Sequence, residues 1–136
     1  MNNEGIRCEK LGEIDKAINV YEQNIADGYP ATHSYERLMI LYRKRKEYDK
    51  EISVAKRAIE VFGRENKKRA KKAITEYPTK KAEIESALES CTVVRGDMKN
   101  LSGALMVCFA PYDVNKYRRR LEKARMMSTK DQSGTR

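Results

Sequence analysis

Few side chains in this chain are equipped for covalent chemistry. His33 is its one histidine, and it stands between Thr32 and Ser34 at what the pattern predicts to be a helix entrance. A general base needs a nucleophile to activate, and no nucleophile motif accompanies it; a surface residue of a first helical turn is the better reading. Glu83, Glu85 and Glu89 suggest a metal cluster, but Lys80 and Lys81 lie beside them and balance their charge, so the group reads as the polar face of a helix. Cys8, Cys91 and Cys108 are odd in number, widely scattered and without a CxxC pair. That pattern argues against a disulfide framework or a zinc site, and for small apolar packing in a reducing, cytoplasmic compartment. Gly96 and Gly103 lack the Lys-Ser/Thr pair of a phosphate loop. The inventory predicts no catalytic residue, no metal and no cofactor.

Charge says more. The chain of 136 residues carries a formal +9, with 36% of its residues charged. Residues 1–63 hold 11 Lys/Arg against 11 Asp/Glu, whereas residues 64–136 hold 18 against 9, so the whole excess lies in the second half. Such asymmetry points to an acidic partner. Within the second half, Arg64, Lys67, Lys68, Lys71 and Lys72, and further on Lys116, Arg119 and Lys123, form the candidate basic patch. Neither segment carries a helix-turn-helix or other groove-reading signature, so a solvated cationic face outweighs a nucleic-acid site. The run Arg43-Lys44-Arg45-Lys46 is locally neutralised by Glu47, Asp49 and Glu51. It reads as the wet end of a helix, where cations complement the exposed carbonyls.

The elements that must hold these residues are helical. Ile14, Ala17, Ile18, Tyr21 and Ile25 fall on one stripe, ended by Gly28 and Pro30. Thr32 or Ser34 can cap the next helix, with Tyr35, Leu38, Met39, Leu41 and Tyr42 inward. A turn near Glu47 precedes a third stripe of Tyr48, Ile52, Ala55, Ile59 and Phe62. Turns this short force antiparallel packing. Beyond Phe62, Ala70, Ala73, Ile74 and Tyr77 share one face until Pro78. Thr79 can then cap a helix that turns Ala82, Ile84, Ala87, Leu88 and Cys91 inward. Residues 95–112 are the least regular: Gly96 and Gly103 mark turns, and ALMVCFA suits either a buried extended strand or one helical turn. Asp113 caps a last helix with Val114, Tyr117, Leu121 and Ala124 inward, and residues 128–136 read as a disordered polar tail. The N-terminus has no apolar signal core, and no run is long enough to cross a membrane.

A shift of 34 residues places Gly12 on Lys46, Ile14 on Tyr48, Ile18 on Ile52, Ile25 on Ile59 and Ile6 on Ile40. That is the period of the tetratricopeptide repeat, which the second copy resembles: Tyr35 takes the place of the family's Trp, Leu38 keeps its Leu, Tyr42 and Tyr48 keep its aromatics, and Ala58 its small contact residue. The first copy keeps Gly5, Gly12, Ala17 and Tyr21. Met39, Lys46, Glu51 and Ala55 depart from the pattern. The chain also resembles short tetratricopeptide-type proteins of Gram-positive bacteria and their phages.

The resemblance implies an all-α fold, with two tetratricopeptide-like hairpins over residues 1–62 and a divergent helical extension or cap over 63–127. It implies a non-catalytic adaptor whose groove takes an acidic or amphipathic segment of another protein, through Asn3, Ile6 and Lys10 on the first repeat and His33, Arg37, Ile40 and Lys44 on the second. Arg37 stands where an acid-clamping repeat needs Asn. The eight tyrosines fall mostly at core positions, leaving Tyr112 and Tyr117 as less committed candidates for base stacking. The rival function is a nucleic-acid accessory role for the basic half. Self-association is left open.

Overall fold

Apolar side chains recurring at helical spacing, punctuated by short turns, wind most of this chain into helices. The computed structural model describes residues 3–28 and 30–134, except the side chains of Asn3 and of residues 132–134. The elements run α1 (Asn3–Lys10), α2 (Ile14–Ala26), α3 (Thr32–Lys44), α4 (Tyr48–Glu76), α5 (Lys81–Ser90), β1 (Val94–Lys99), β2 (Leu105–Phe109) and α6 (Val114–Gly134). The fold is all-α, built on helical hairpins, with one small two-stranded sheet. It divides into two units. Unit 1 holds the residues up to Val61 and those from Tyr117 onward; unit 2 holds Phe62–Lys116.

In unit 1 the two helix reversals repeat one another at a spacing of 34 residues. In the first, Gly12 N–H donates to Glu9 O and Glu13 N–H to Cys8 O; in the second, Lys46 N–H donates to Arg43 O and Glu47 N–H to Tyr42 O. Both turns need a left-handed residue. Gly12 adopts it at φ 76° without steric cost, whereas Lys46 is held there at φ 59°, where a Cβ crowds the backbone.

The core of unit 1 is aromatic and tight. Tyr21, Tyr35, Leu38, Met39 and Tyr117 are fully enclosed. Gly5 is needed where α1 meets α2, because a Cβ there would overlap the Tyr21 ring. The buried stripe of α4 is partly rotated from the expected one. Tyr48, Ala55 and Phe62 are buried as expected, but Ile52 and Ile59 are only half-buried at the margin, and Val54, Ala58 and Val61 are buried in their stead. Ser34 is no cap either: α3 starts without a side-chain cap, and the enclosed Ser34 hydroxyl accepts from Asn24 Nδ2 at 3.2 Å.

Unit 2 has a smaller core of Ala70, Ala73, Ile84, Ala87, Val94 and Phe109. Pro78 ends α4 and opens a short 3-10 turn, Pro78–Lys80, which contains Thr79; α5 starts uncapped at Lys81. α5 ends on Cys91, at φ 57°. The segment expected to be irregular is an antiparallel hairpin, with Val94 opposite Phe109 and Lys99 opposite Leu105. Gly96 lies inside β1, where a Cβ would press to 3.0 Å from Cys108 Sγ, while Gly103 makes the turn at φ 87°. Only the base of this hairpin, Val94 and Phe109, is buried.

Two boundaries differ from the sequence reading. α6 begins under Asp113, whose Oδ1 accepts from Lys116 N–H at 3.3 Å, but from Tyr117 onward it groups with the helical hairpins and not with residues 63–116. It also continues through Ser128 to Gly134, so these residues of the expected tail are helical. A polar run with helix-compatible residues extends an existing helix without a new nucleus. Residues 135 and 136 of that tail lie outside the described residues.

Candidate interaction surfaces

The face expected to form a groove brings several of its residues together in unit 1, but the charge of Arg37 is already engaged. Ile6 on α1 and His33, Arg37 and Ile40 on α3 are half-buried, Lys10 and Lys44 are exposed, and the Asn3 side chain lies outside the described residues. Arg37 grips Glu9 with both edges of its fork: Nε donates to Oε2 at 3.1 Å and Nη2 to Oε1. Tyr21 donates its hydroxyl to the same Oε2 at 2.5 Å. The His33 ring meets Tyr21 edge-on, with centroids 5.7 Å apart. Hydrogen bonding from Arg37 holds the Glu9 carboxyl below the usual carboxylate range against the opposing effect of burial. Burial first, and the Glu9 hydrogen bond second, push the Tyr21 hydroxyl up.

A carboxylate locked in its charged form by three donors makes a poor proton carrier at neutral pH. It makes a good tie between α1, α2 and α3. Arg37 is thus a strut of the fold, with its guanidinium committed to Glu9.

The basic run at the end of α3 divides in two. Lys44, Arg45 and Lys46 are exposed as expected, and Arg45 meets Asp15 across the two turns at 2.6 Å. Arg43 does not belong to that wet end. Its Nε donates to Glu51 Oε1 at 3.1 Å, and its Nη2 lies 2.6 Å from Oε2, around a Glu51 side chain with 0% exposure. Glu51 falls one repeat after Ala17, itself fully buried. The second hairpin thus carries a charge where the first carries a methyl, and that charge has to be paired inside.

The basic patch lies at the surface. Arg64, Lys67, Lys68, Lys71 and Lys72 are exposed along α4 in unit 2, where Lys116 is half-buried; Arg119 and Lys123, both exposed, belong to unit 1. The tyrosines considered for stacking are taken up internally. Tyr117 is fully enclosed. Tyr112 lies between Phe62, at 4.7 Å between ring centroids, and the Arg69 guanidinium, 4.2 Å from the ring centre. Asn66 clamps the same residue, accepting from its N–H at 2.8 Å and donating to its carbonyl at 2.9 Å.

The hairpin of unit 2 is the surface that the site reading passed over. Val93, Met98, Leu101, Leu105, Met106 and Val107 are all exposed, Met98 to 74% and Leu101 to 110%. Its tip is rigidly built: Asn100 Oδ1 accepts from the N–H groups of Ser102 and Ala104 and from the Ser102 hydroxyl. Beside β2 runs a cleft of about 310 Å³ lined by Arg69, Lys72, Ala73 and Glu76 of α4 and by residues 107–110. The signal was present in the sequence, since ALMVCFA is uncharged and rich in strand formers. What the sequence did not give was its exposure.

No group of three or more His, Cys, Asp or Glu residues able to hold a metal occurs among the described residues, and no described helix is long and apolar enough to cross a membrane. The three cysteines are free thiols. No protein-family model, curated protein or solved structure matches this chain.

Proposed function

We propose that this protein is a non-catalytic protein-binding module of the cytoplasm, an adaptor on a tetratricopeptide-like scaffold that docks a partner through the exposed hairpin of unit 2. One observation carries the reading. Six large apolar side chains are exposed between Val93 and Val107, and a concentration of apolar surface in so short a segment marks an interaction site. The turn that displays Leu101 is held by side-chain hydrogen bonds, so little ordering entropy opposes docking. The face of α1 and α3 suits a supporting role better, because the Arg37 guanidinium is engaged with Glu9 within the scaffold.

Capture of partners from nuclease-treated extract, with the wild type and with Leu101→Ser plus Met106→Ser, tests this reading. Both sites are exposed, so the variant folds. It loses the captured protein; equal capture by both would remove the hairpin from the account.

A second reading has its own support. Lys67, Lys68, Lys71 and Lys72 are exposed on α4 and face no carboxylate among the described ion pairs. Such a band attracts nucleic acid loosely and without sequence preference, and the attraction falls steeply with salt.

A further inference from the structure

The hairpin of unit 2 leaves one structural requirement unmet. Its sheet has two strands, so β2 pairs with β1 along one side only. An open edge presents backbone donors and acceptors that a further strand can take. Folded proteins blunt such edges with charges, prolines or a covering element. β2, with the sequence LMVCF, has no charge and no proline, and its first three residues are exposed. Left open, it would be an aggregation site.

The neighbourhood of β2 limits what can cover it. The cleft beside it has Val107, Cys108, Phe109 and Ala110 on one wall and α4 on the other. On the α4 wall, Arg69, Ala73 and Glu76 follow one another at helical spacing, with Lys72 beside them. Arg69 is fixed by hydrogen bonds to the Ala110 carbonyl, at 3.0 Å, and to the Tyr112 hydroxyl, at 2.9 Å; neither acceptor is a carboxylate, and Arg69 enters no ion pair among the described residues. Lys72 is exposed and enters no ion pair among the described residues. Glu76 is the one acidic group in this lining. The cleft thus offers a backbone edge, an apolar floor around Ala73 and Val107, and two cations against one carboxylate.

We propose that β2 is an acceptor edge: an extended segment of a partner protein, alternating apolar and acidic residues, adds to it as a third strand in the cleft between β2 and α4. Main-chain hydrogen bonds supply affinity in this mode, and alternate side chains supply selectivity. One side-chain set of the incoming strand faces Ala73 and Val107, and a carboxylate of the segment meets Lys72. A helix cannot take this place, because its backbone groups are already satisfied internally. The proposal rests on the protein-binding reading above and gives the chemistry of its partner.

The probe is a synthetic, terminally blocked peptide of alternating glutamate and valine, labelled for fluorescence anisotropy. Three comparisons accompany it: the same peptide N-methylated at every residue, so that neither edge of a strand can donate, a lysine-for-glutamate peptide, and the Lys72→Glu protein. The proposal expects binding of the parent peptide, and at least about tenfold weaker binding in each comparison, equivalent to roughly 1.4 kcal/mol. Undiminished binding of the N-methylated peptide would show that no strand forms and would overturn the proposal, with no protein variant involved. So would equal binding of the lysine peptide, or of the parent peptide to Lys72→Glu. Sedimentation of the wild type gives the remaining arm: a concentration-dependent dimer that excludes the peptide would make a second copy the occupant and the proposal wrong. Failure here is separable from failure of the broader reading. If Lys72→Glu keeps the captured protein while the Leu101→Ser plus Met106→Ser variant loses it, the hairpin docks a partner by another mode.

Discussion

Unit 1 turns its chemistry inward and unit 2 turns its chemistry outward. In unit 1, Glu9 is held by Arg37 and Tyr21, Glu22 accepts the Tyr42 hydroxyl, and the enclosed Glu51 is held by Arg43. Each polar contact consumes a group otherwise available to a partner. In unit 2 the lysines of α4 lie at the surface, and the hairpin exposes its methionines and leucines. The ties of unit 1 join its helices to one another, although the buried His33 Nε2 and Glu47 Oε2 make no hydrogen bond among the described residues. Large exposed apolar groups, by contrast, are what an interaction surface offers. The proposed division of tasks between the two units rests on this contrast.

The largest effect expected from breaking this contrast is at Arg43. Arg43→Ala strands the buried Glu51 carboxylate and should destabilise by about 3–5 kcal/mol, the usual cost of an uncompensated buried charge. Glu51→Ala should cost clearly less. Arg43 is partly exposed and can swing into water, and alanine is what the first hairpin carries at Ala17. Denaturant titrations of both variants measure this asymmetry, and a cost of Arg43→Ala below about 0.5 kcal/mol would mean that Arg43 is no more than a surface residue.

Leu38→Ala comes next. The side chain is fully buried, and large-to-small changes at such sites cost roughly 2–4 kcal/mol. In a chemical denaturation curve, a loss below about 0.5 kcal/mol would match a surface position and contradict the aromatic core of unit 1.

A smaller, pH-dependent effect belongs to Glu9. Its folded-state pKa is depressed, chiefly by the Arg37 hydrogen bond. The stability it contributes is therefore fully present above the unfolded carboxylate value and is lost as pH falls through the folded one. The gap between the wild type and Glu9→Gln, followed by denaturation from neutral to acid pH, should shrink on acidification. A gap independent of pH would remove the carboxylate tie.

The smallest effect on stability is expected in unit 2. Changing Lys67, Lys68, Lys71 and Lys72 together to Gln should alter stability by less than about 0.5 kcal/mol, since all four are exposed. The same variant should flatten the slope of log K against log salt for duplex DNA by roughly 2 to 4 if the band touches phosphate. Tight DNA binding that persists at physiological salt and vanishes in the variant would replace the protein-binding account with the nucleic-acid one.

Much of this architecture was legible because it depends on local spacing. Gly12 and Lys46 fix two reversals 34 residues apart, and the α2 stripe of Ala17, Ile18, Tyr21 and Ile25 is buried as its periodicity dictates. Partners distant along the chain were not legible. Glu9 and Arg37 are 28 residues apart, and nothing in either neighbourhood tells one of the other. Arg43 looked solvated because it sits in a basic run next to acidic residues, and only the rotation of α4 shows that Glu51 points inward. Residues 95–112 remained ambiguous for a different reason. A short apolar run suits a buried helix or a strand equally well, and the exposure of Leu105, Met106 and Val107 depends on how little core unit 2 has to cover them.

The division of labour between the units is tested most directly by partner capture from nuclease-treated extract, quantified for two variants side by side. One changes Leu101 and Met106 of the hairpin to Ser; the other changes Lys10 and Lys44, exposed on the helical face of unit 1, to Ala. The account predicts loss of the captured protein with the hairpin variant and retention with the helical-face variant. Retention with the first and loss with the second would place the interaction surface on the helical hairpins and contradict it.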